Sequence, residues 1–191
     1  MNEKSLISLL KAGDNSGFRE LIALYKDRVY NTCLSLLQNI EDSQDITQEV
    51  FIEIHRSIHS FKAESKLSTW IYRIALTKSL ELIRKKKTKK RFGRVESLWS
   101  NTSNEIEDKT DFYHPGISLE NKERSAILFK AIDKLPVNQK TAFIMHKTED
   151  LSYTEIADIM ELSVSSIESL MFRAKQNLQK LLSDYYYKNE V

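Results

Sequence analysis

The sequence predicts an all-α fold: two small helical domains joined by an acidic linker, the second containing a helix-turn-helix. Three observations carry this. The 191 residues include only four Gly and two Pro, too few turn-forming residues for an all-β domain. Apolar residues recur at spacings of three and four through both halves of the chain, the period of an amphipathic helix. Charge is segregated although the formal total is only +2: residues 1–61 carry −3, 62–94 carry +10, 95–123 carry −5, and 124–191 balance. The expected boundaries are a first domain over 1–94, a linker over 95–123 and a second domain over 124–185.

Taken in order, Ser5 to Ala12 reads as a short helix stopped by Gly13. A longer helix starts near Ser16, with Phe18, Leu21, Ile22, Tyr25, Val29, Cys33 and Leu36 along one stripe and Arg19, Glu20, Lys26 and Asp27 opposite. The next begins after Asn39, where Asp42 or Ser43 is expected to cap the free amides of the first turn and Asp45 suits the positive end of the helix dipole. Ile46, Val50, Ile54 and Ile58 form its buried row. Asp42, Asp45, Gln48, Glu49 and Ile52 make an acidic side with one apolar member, the mixed surface a protein partner grips. His55 and His59 have the spacing of a metal pair, but Arg56 stands where a zinc protease needs Glu, so no metal is expected.

The stretch from Phe61 to Arg94 dominates the chain. It brings Phe61, Trp70 and Tyr72 ahead of twelve basic residues, among them Lys62, Lys66, Arg73, Arg84 and Lys85, opposed only by Glu64 and Glu81. Phosphates attract such cations, and unpaired bases stack on aromatic rings at about 1–3 kcal/mol each. A solvated helix end would account for the charge alone but not for the aromatics beside it. Leu67, Ile71, Ile74, Leu80 and Ile83 give this helix an apolar side, so the first 90 residues can close four helices around one core.

Residues 95–123 are polar and acidic and contain Pro115-Gly116, which marks a linker; its Leu98, Trp99, Phe112 and Tyr113 suggest that it docks somewhere. A helix resumes near Leu119 with Ile127, Leu128, Ala131, Ile132 and Leu135 on one face, ended by Pro136, and Asn138 to His146 follows with Ala142, Phe143 and Met145. Then Ser152 and Glu155 form a capping box, Glu161-Leu162 a tight corner, and Ser163 caps a second helix carrying Val164, Ile167, Ala174, Leu178 and Leu181. Two helices so joined make a helix-turn-helix. Ser165, Ser166, Glu168, Ser169, Phe172, Arg173 and Lys175 fall on or near the exposed face of the second helix, whose N-terminal part enters a major groove.

Other classes are set aside on composition. Cys33 is alone, which excludes an internal disulfide and a four-cysteine zinc site, and its apolar neighbours make it a packing residue. The N-terminus lacks a signal-peptide pattern and no run approaches the ~20 apolar residues of a membrane span, so a protein of the cytoplasm without membrane insertion is expected. Nucleases need clustered carboxylates for metals, and neither Glu149-Asp150 nor the scattered acids elsewhere supply them. No catalysis, cofactor or small-molecule substrate is expected.

The ordered set DITQEVF at 45–51, STWIYRIA at 68–75 before the basic helix end, Leu135-Pro136, and LSYTEIADIMELSVSSIESLMFRAKQNL at 151–178 resembles sigma factors of bacterial RNA polymerase, in the short extracytoplasmic-function group. The resemblance covers nearly the whole chain. It implies that Asp42, Asp45, Gln48, Glu49 and Ile52 bind the clamp coiled coil of the core polymerase's largest subunit. It implies that Phe61, Lys62, Lys66, Ser68, Thr69, Trp70, Tyr72, Arg73, Thr77, Arg84 and Lys85 contact the melted minus-ten promoter DNA, and that Ser163, Ser165, Ser166, Glu168, Ser169, Phe172, Arg173 and Lys175 read the minus-thirty-five element. An anti-sigma protein is the implied regulator. The chain departs from the group at Thr77 and Glu81, where Asn and Asp are common, and at Glu168 and Leu170, where Lys and Arg are common. The alternative is a helix-turn-helix regulator acting without polymerase, which predicts palindromic operators and leaves the aromatic loop beside the basic helix unexplained.

Overall fold

The computed structural model of the chain describes residues 2–97 and 122–189. Among the described residues there is no strand. The described residues form eight helices in order: α1 (Glu3–Lys11), α2 (Asn15–Leu37), α3 (Ile40–Ser57), α4 (Leu67–Ser97), α5 (Lys122–Asp133), α6 (Val137–Thr148), α7 (Tyr153–Met160) and α8 (Val164–Asn189), with a 3₁₀ turn at Ile58–Ser60 between α3 and α4.

Short polar side chains start these helices, as helix ends with free amides require. Asn2 accepts from the Ser5 amide at 2.8 Å and Asp14 from the Ser16 amide at 2.7 Å. The start of α3 corrects the sequence expectation: Asn39, not Asp42 or Ser43, is the cap, accepting from the Asp42 amide at 2.9 Å. Ser43 instead donates its hydroxyl back to the Asn39 carbonyl. Gly13, at φ +72°, turns the chain between α1 and α2, and Gln38, at φ +51°, closes α2 in the left-handed region. At Gly17 the first two helices meet so closely that a Cβ would lie 2.9 Å from Leu9 Cβ.

Helices α1 to α4 enclose one apolar cluster, with Leu10, Leu21, Val29, Cys33, Val50, Ile54, Ile58, Leu67 and Ile71 fully covered. Burial pushes the Cys33 thiol up to about 11, and Ser79 Oγ donates to its sulfur at 3.7 Å. The linking loop is tied back at its end, where the Leu67 amide donates to the Glu3 carboxylate at 3.0 Å. His55 packs its ring on Phe18, centroids 4.6 Å apart.

The second cluster is built from α5 to α8, with Phe129, Ile132, Leu135, Ile144, Met145, Ile156, Ile167, Met171 and Leu178. It does not stop at the domain expected from the sequence. Leu36 of α2 and Tyr72 and Leu76 of α4 belong to the same cluster, so α6 lies against α2 and α7 against α4. The two halves therefore share apolar surface. Helix α4 runs to Ser97, past the expected boundary at 94; the apolar linker residues Leu98, Trp99, Phe112 and Tyr113 lie outside the described residues.

Candidate nucleic-acid interface

The second half presents its expected reading face openly. The capping box at the start of α7 is complete: Ser152 Oγ accepts from the Glu155 amide at 3.3 Å and the Glu155 carboxylate accepts from the Ser152 amide at 3.1 Å. Glu161, at φ +55°, ends α7 in the left-handed region, and Ser163 caps α8 by accepting from the Ser166 amide at 3.2 Å. Along α8, Ser165, Glu168, Ser169 and Phe172 sit at i, i+3, i+4 and i+7, one stripe. All four are exposed, Phe172 at 63%. Arg173 and Lys175 are exposed beside them, and Ser166 is half-buried. An exposed ring that large, among hydroxyls and cations at the start of a helix, is suited to base edges and phosphates.

The face of α3 is likewise available. Asp45, Gln48, Glu49 and Ile52 are exposed, Ile52 at 49%. Asp42 continues the stripe but is engaged by the Lys86 ammonium of α4.

The first half's expected DNA residues divide in two. Lys62 of the loop and Thr77, Arg84 and Lys85 of α4 are exposed, with Ser68 half-buried near the helix start. Lys66 is exposed too, at 66% of its side chain, and Arg73 is half-buried; the remaining four are covered wholly or in part. Phe61 is 4% exposed and packs on half-buried Trp70 with centroids 5.0 Å apart; Thr69 is also buried. The Phe61 ring closes the first core beneath the loop. Tyr72, 2% exposed, is covered for a different reason: the second half lies over it.

That covering is specific. Tyr72 Oη donates to Glu149 at 2.9 Å, and Lys66 Nζ donates to Glu155 at 2.9 Å. Arg73 donates through Nε and Nη2 to the Asp158 carbonyl at 2.9 and 2.5 Å and faces Glu161 at 3.3 Å. Buried Gln38 donates to the Phe129 carbonyl at 2.9 Å. The electrostatics follow. Hydrogen bonding to Lys66, then to Ser152, holds the Glu155 carboxyl down at about 2. Burial raises Glu149 despite the hydroxyls of Tyr72 and Thr32, and burial with the Glu149 charge raises the Tyr72 phenol. Sequence reasoning missed Glu149, Asp158 and Glu161 as partners of the basic stretch, and Gln38 as a partner of α5. They sit 77 to 91 residues away in those hydrogen bonds that join the halves through Tyr72, Arg73 and Gln38, and each is an unremarkable polar residue in its own segment. No group of three or more metal-ligating side chains occurs among the described residues.

Comparison with known proteins gives this geometry a setting. Residues 21–89 match Sigma-70 region 2 and residues 125–178 match Sigma-70, region 4. The chain is 30% identical over 181 residues to the ECF RNA polymerase sigma factor SigW of Bacillus subtilis, covering 95% of this chain and 97% of that one. It is also 30% identical over 189 residues to the ECF RNA polymerase sigma-E factor of Haemophilus influenzae, covering 94% of each. Among solved structures, CnrH in complex with the cytosolic domain of CnrY shares the fold at a TM-score of 0.69 with 20% identity, covering 95% of this chain and 97% of that one. The sigma factor RpoE of Bartonella quintana, in complex with the anti-sigma factor NepR, does so at 0.66 with 23% identity, covering 87% and 96%. Both regions, in order and on one chain, with relatives matched nearly end to end, leave one reading: this chain belongs to the extracytoplasmic-function sigma factors and serves RNA polymerase in transcription initiation.

Proposed function

We propose the following division of labour within that role. Asp42, Asp45, Gln48, Glu49 and Ile52 on α3 bind the clamp coiled coil of the largest polymerase subunit. Loop residues around Lys62 and Lys66, with Trp70, Tyr72, Arg73 and Thr77 and the cations Arg84 and Lys85 on α4, hold the melted minus-ten strands. The exposed stripe of α8 from Ser163 to Lys175 reads the minus-thirty-five element in duplex DNA. The chain does no chemistry itself; binding free energy stabilises melted DNA. Two weak contacts on one chain reinforce each other because the first raises the effective concentration of the second. An anti-sigma protein restrains the chain, a proposal supported by related folds captured with CnrY and NepR.

The observation that carries this reading is the pairing of a strongly cationic, aromatic-flanked α4 with an open α8 face in a single chain. Operator binding without polymerase accounts for α8 alone and gives the region 2 match no role. The test is run-off transcription on fragmented DNA from the source organism with core polymerase, with and without the chain. Discrete transcripts that depend on the chain support the reading, and aligning their upstream sequences yields both elements. Absence of new start sites, together with failure to bind core polymerase, would sink it.

A further inference from the structure

The loop that leads into α4 is anchored at both ends, and the second anchor is borrowed from α1. At its start the Phe61 ring is buried in the first core, the Phe61 amide donates to the Ile58 carbonyl at 3.1 Å, and Ser60 Oγ donates to the Ser57 carbonyl at 2.7 Å. At its end α4 opens with free amides and no acidic residue in its first turn, and the preceding Ser65 donates its hydroxyl to the Lys66 carbonyl at 3.4 Å. The acceptor comes from 64 residues away: the Leu67 amide donates to the Glu3 carboxylate at 3.0 Å, a negative charge suited to the positive end of the helix dipole. The same carboxylate is close enough to act on the Tyr25 phenol and the Lys66 ammonium.

Glu3 is itself held in place. It is the first residue of α1, whose start is fixed by Asn2 and whose Leu6 and Leu10 are buried in the same core as Phe61 and Leu67. Between the two anchors Ala63 sits at φ +58°, a left-handed conformation that a residue with a Cβ keeps only where its surroundings impose it. Lys62, Ala63, Glu64 and Lys66 are exposed around that bend, so the segment meets solvent with its shape already set. We propose that Glu3 is a positioning residue for promoter recognition: by capping α4 it fixes the end of the loop, and α1 thereby takes part in selecting the minus-ten sequence. The proposal rests on the reading above that the loop around Lys62 and Lys66 holds the melted minus-ten strands. A loop fixed beforehand loses little freedom on binding, whereas one loosened at its end must be ordered by the DNA itself.

Two readouts on the full chain test this. Exchange of the Leu67 amide in deuterated water, followed by NMR, should quicken about tenfold in Glu3→Ala while the Val50 amide of α3 is unchanged; Glu3→Gln, whose amide oxygen still accepts, should stay near the wild-type rate. With core polymerase, run-off transcription from two template libraries built on one promoter recovered as above, one randomised over the melted segment and one over the upstream duplex element, gives the base preference at each. Glu3→Ala should flatten the minus-ten preference about fivefold and leave the minus-thirty-five preference intact, a split that general destabilisation does not produce, and Glu3→Gln should keep both. The triple variant Lys62→Gly, Glu64→Gly, Ser65→Gly strips the loop of its own side chains and should flatten the minus-ten preference too. Unchanged Leu67 exchange in Glu3→Ala, equal loss of both preferences in it, equal loss in Glu3→Gln, or a flattened preference in the loop variant but not in Glu3→Ala each overturns the proposal. An intact minus-ten preference in the loop variant instead overturns the assignment of DNA contacts to the loop.

Discussion

Glu149 ends α6 with its carboxylate shut against Tyr72, where burial opposes its charge and the Tyr72 hydroxyl supports it. The two variants at this pair should therefore differ. Glu149→Gln keeps an acceptor for the phenol and removes a charge that burial disfavours, so thermal stability should hold or rise. Tyr72→Phe takes from the carboxylate the stronger of its two hydroxyl donors and should cost about 1–3 kcal/mol, read as a lowered denaturation midpoint. On α8, Glu168 is exposed and carries the wrong sign for phosphate but can accept from a cytosine amino group. Glu168→Lys should change base preference at the minus-thirty-five element; the same preference across a promoter library would remove Glu168 from the reading face. At this scale the sequence was informative wherever local chemistry decides, as with Ser152 and Glu155. It misled at Asn39, where three polar candidates within five residues competed for one cap and backbone conformation chose among them.

Elements were legible where their apolar period is unbroken. The row Ile46, Val50, Ile54 and Ile58 identifies the inner side of α3 and of the turn that follows it, and all four are buried. In α5 and α6 the period is less clean, and Phe129 and Ile144, both buried, were not counted on the apolar faces. Two element-level consequences can be measured. Ser152→Ala removes one arm of the box that starts α7 and should cost about 1 kcal/mol, lowering the melting temperature by ~2–4 °C for a chain of this size. Gly17→Ala should do more harm. Its methyl group would meet Leu9 Cβ at 2.9 Å and the Leu10 backbone nitrogen at 3.2 Å, contacts that require α1 to shift on α2, and overpacking of this kind costs about 1–3 kcal/mol. If Gly17→Ala melts as the wild type does, α1 is less firmly seated than the structure has it.

For the molecule as a whole, the packing of one half on the other was illegible because nothing local encodes it. Leu36 reads as an inner position of the first core and Tyr72 as a nucleic-acid contact, and only the assembled structure gives both, with Leu76, to the second core. The forces across this seam differ in kind. The Lys66–Glu155 pair is largely exposed, 66% and 32% by side chain, and such pairs contribute roughly 0–1 kcal/mol, so the apolar cluster and the Gln38 bond should hold the halves together in high salt while DNA binding falls away. Lowering the pH should tighten the seam. Glu149 has a raised pKa in the closed form, so its contribution to closure is fully present below its ordinary value of 4.5 and lost as pH rises through the raised one. Arg28 and Asp150 face the same carboxylate with opposite effects, included in that net rise. Glu155, held at about 2, contributes above 4.5 and loses its contribution only as pH falls toward 2, so it does not oppose the trend between pH 7 and 5. Scattering that shows expansion over that interval would contradict this. The buried Cys33 thiol, held at about 11, has a practical corollary. Maleimides and iodoacetamides attack the thiolate, so the native chain will stay silent toward them until it unfolds. Reporter dyes attached to cysteines introduced one in each half will then measure the distance between the halves in the unmodified background.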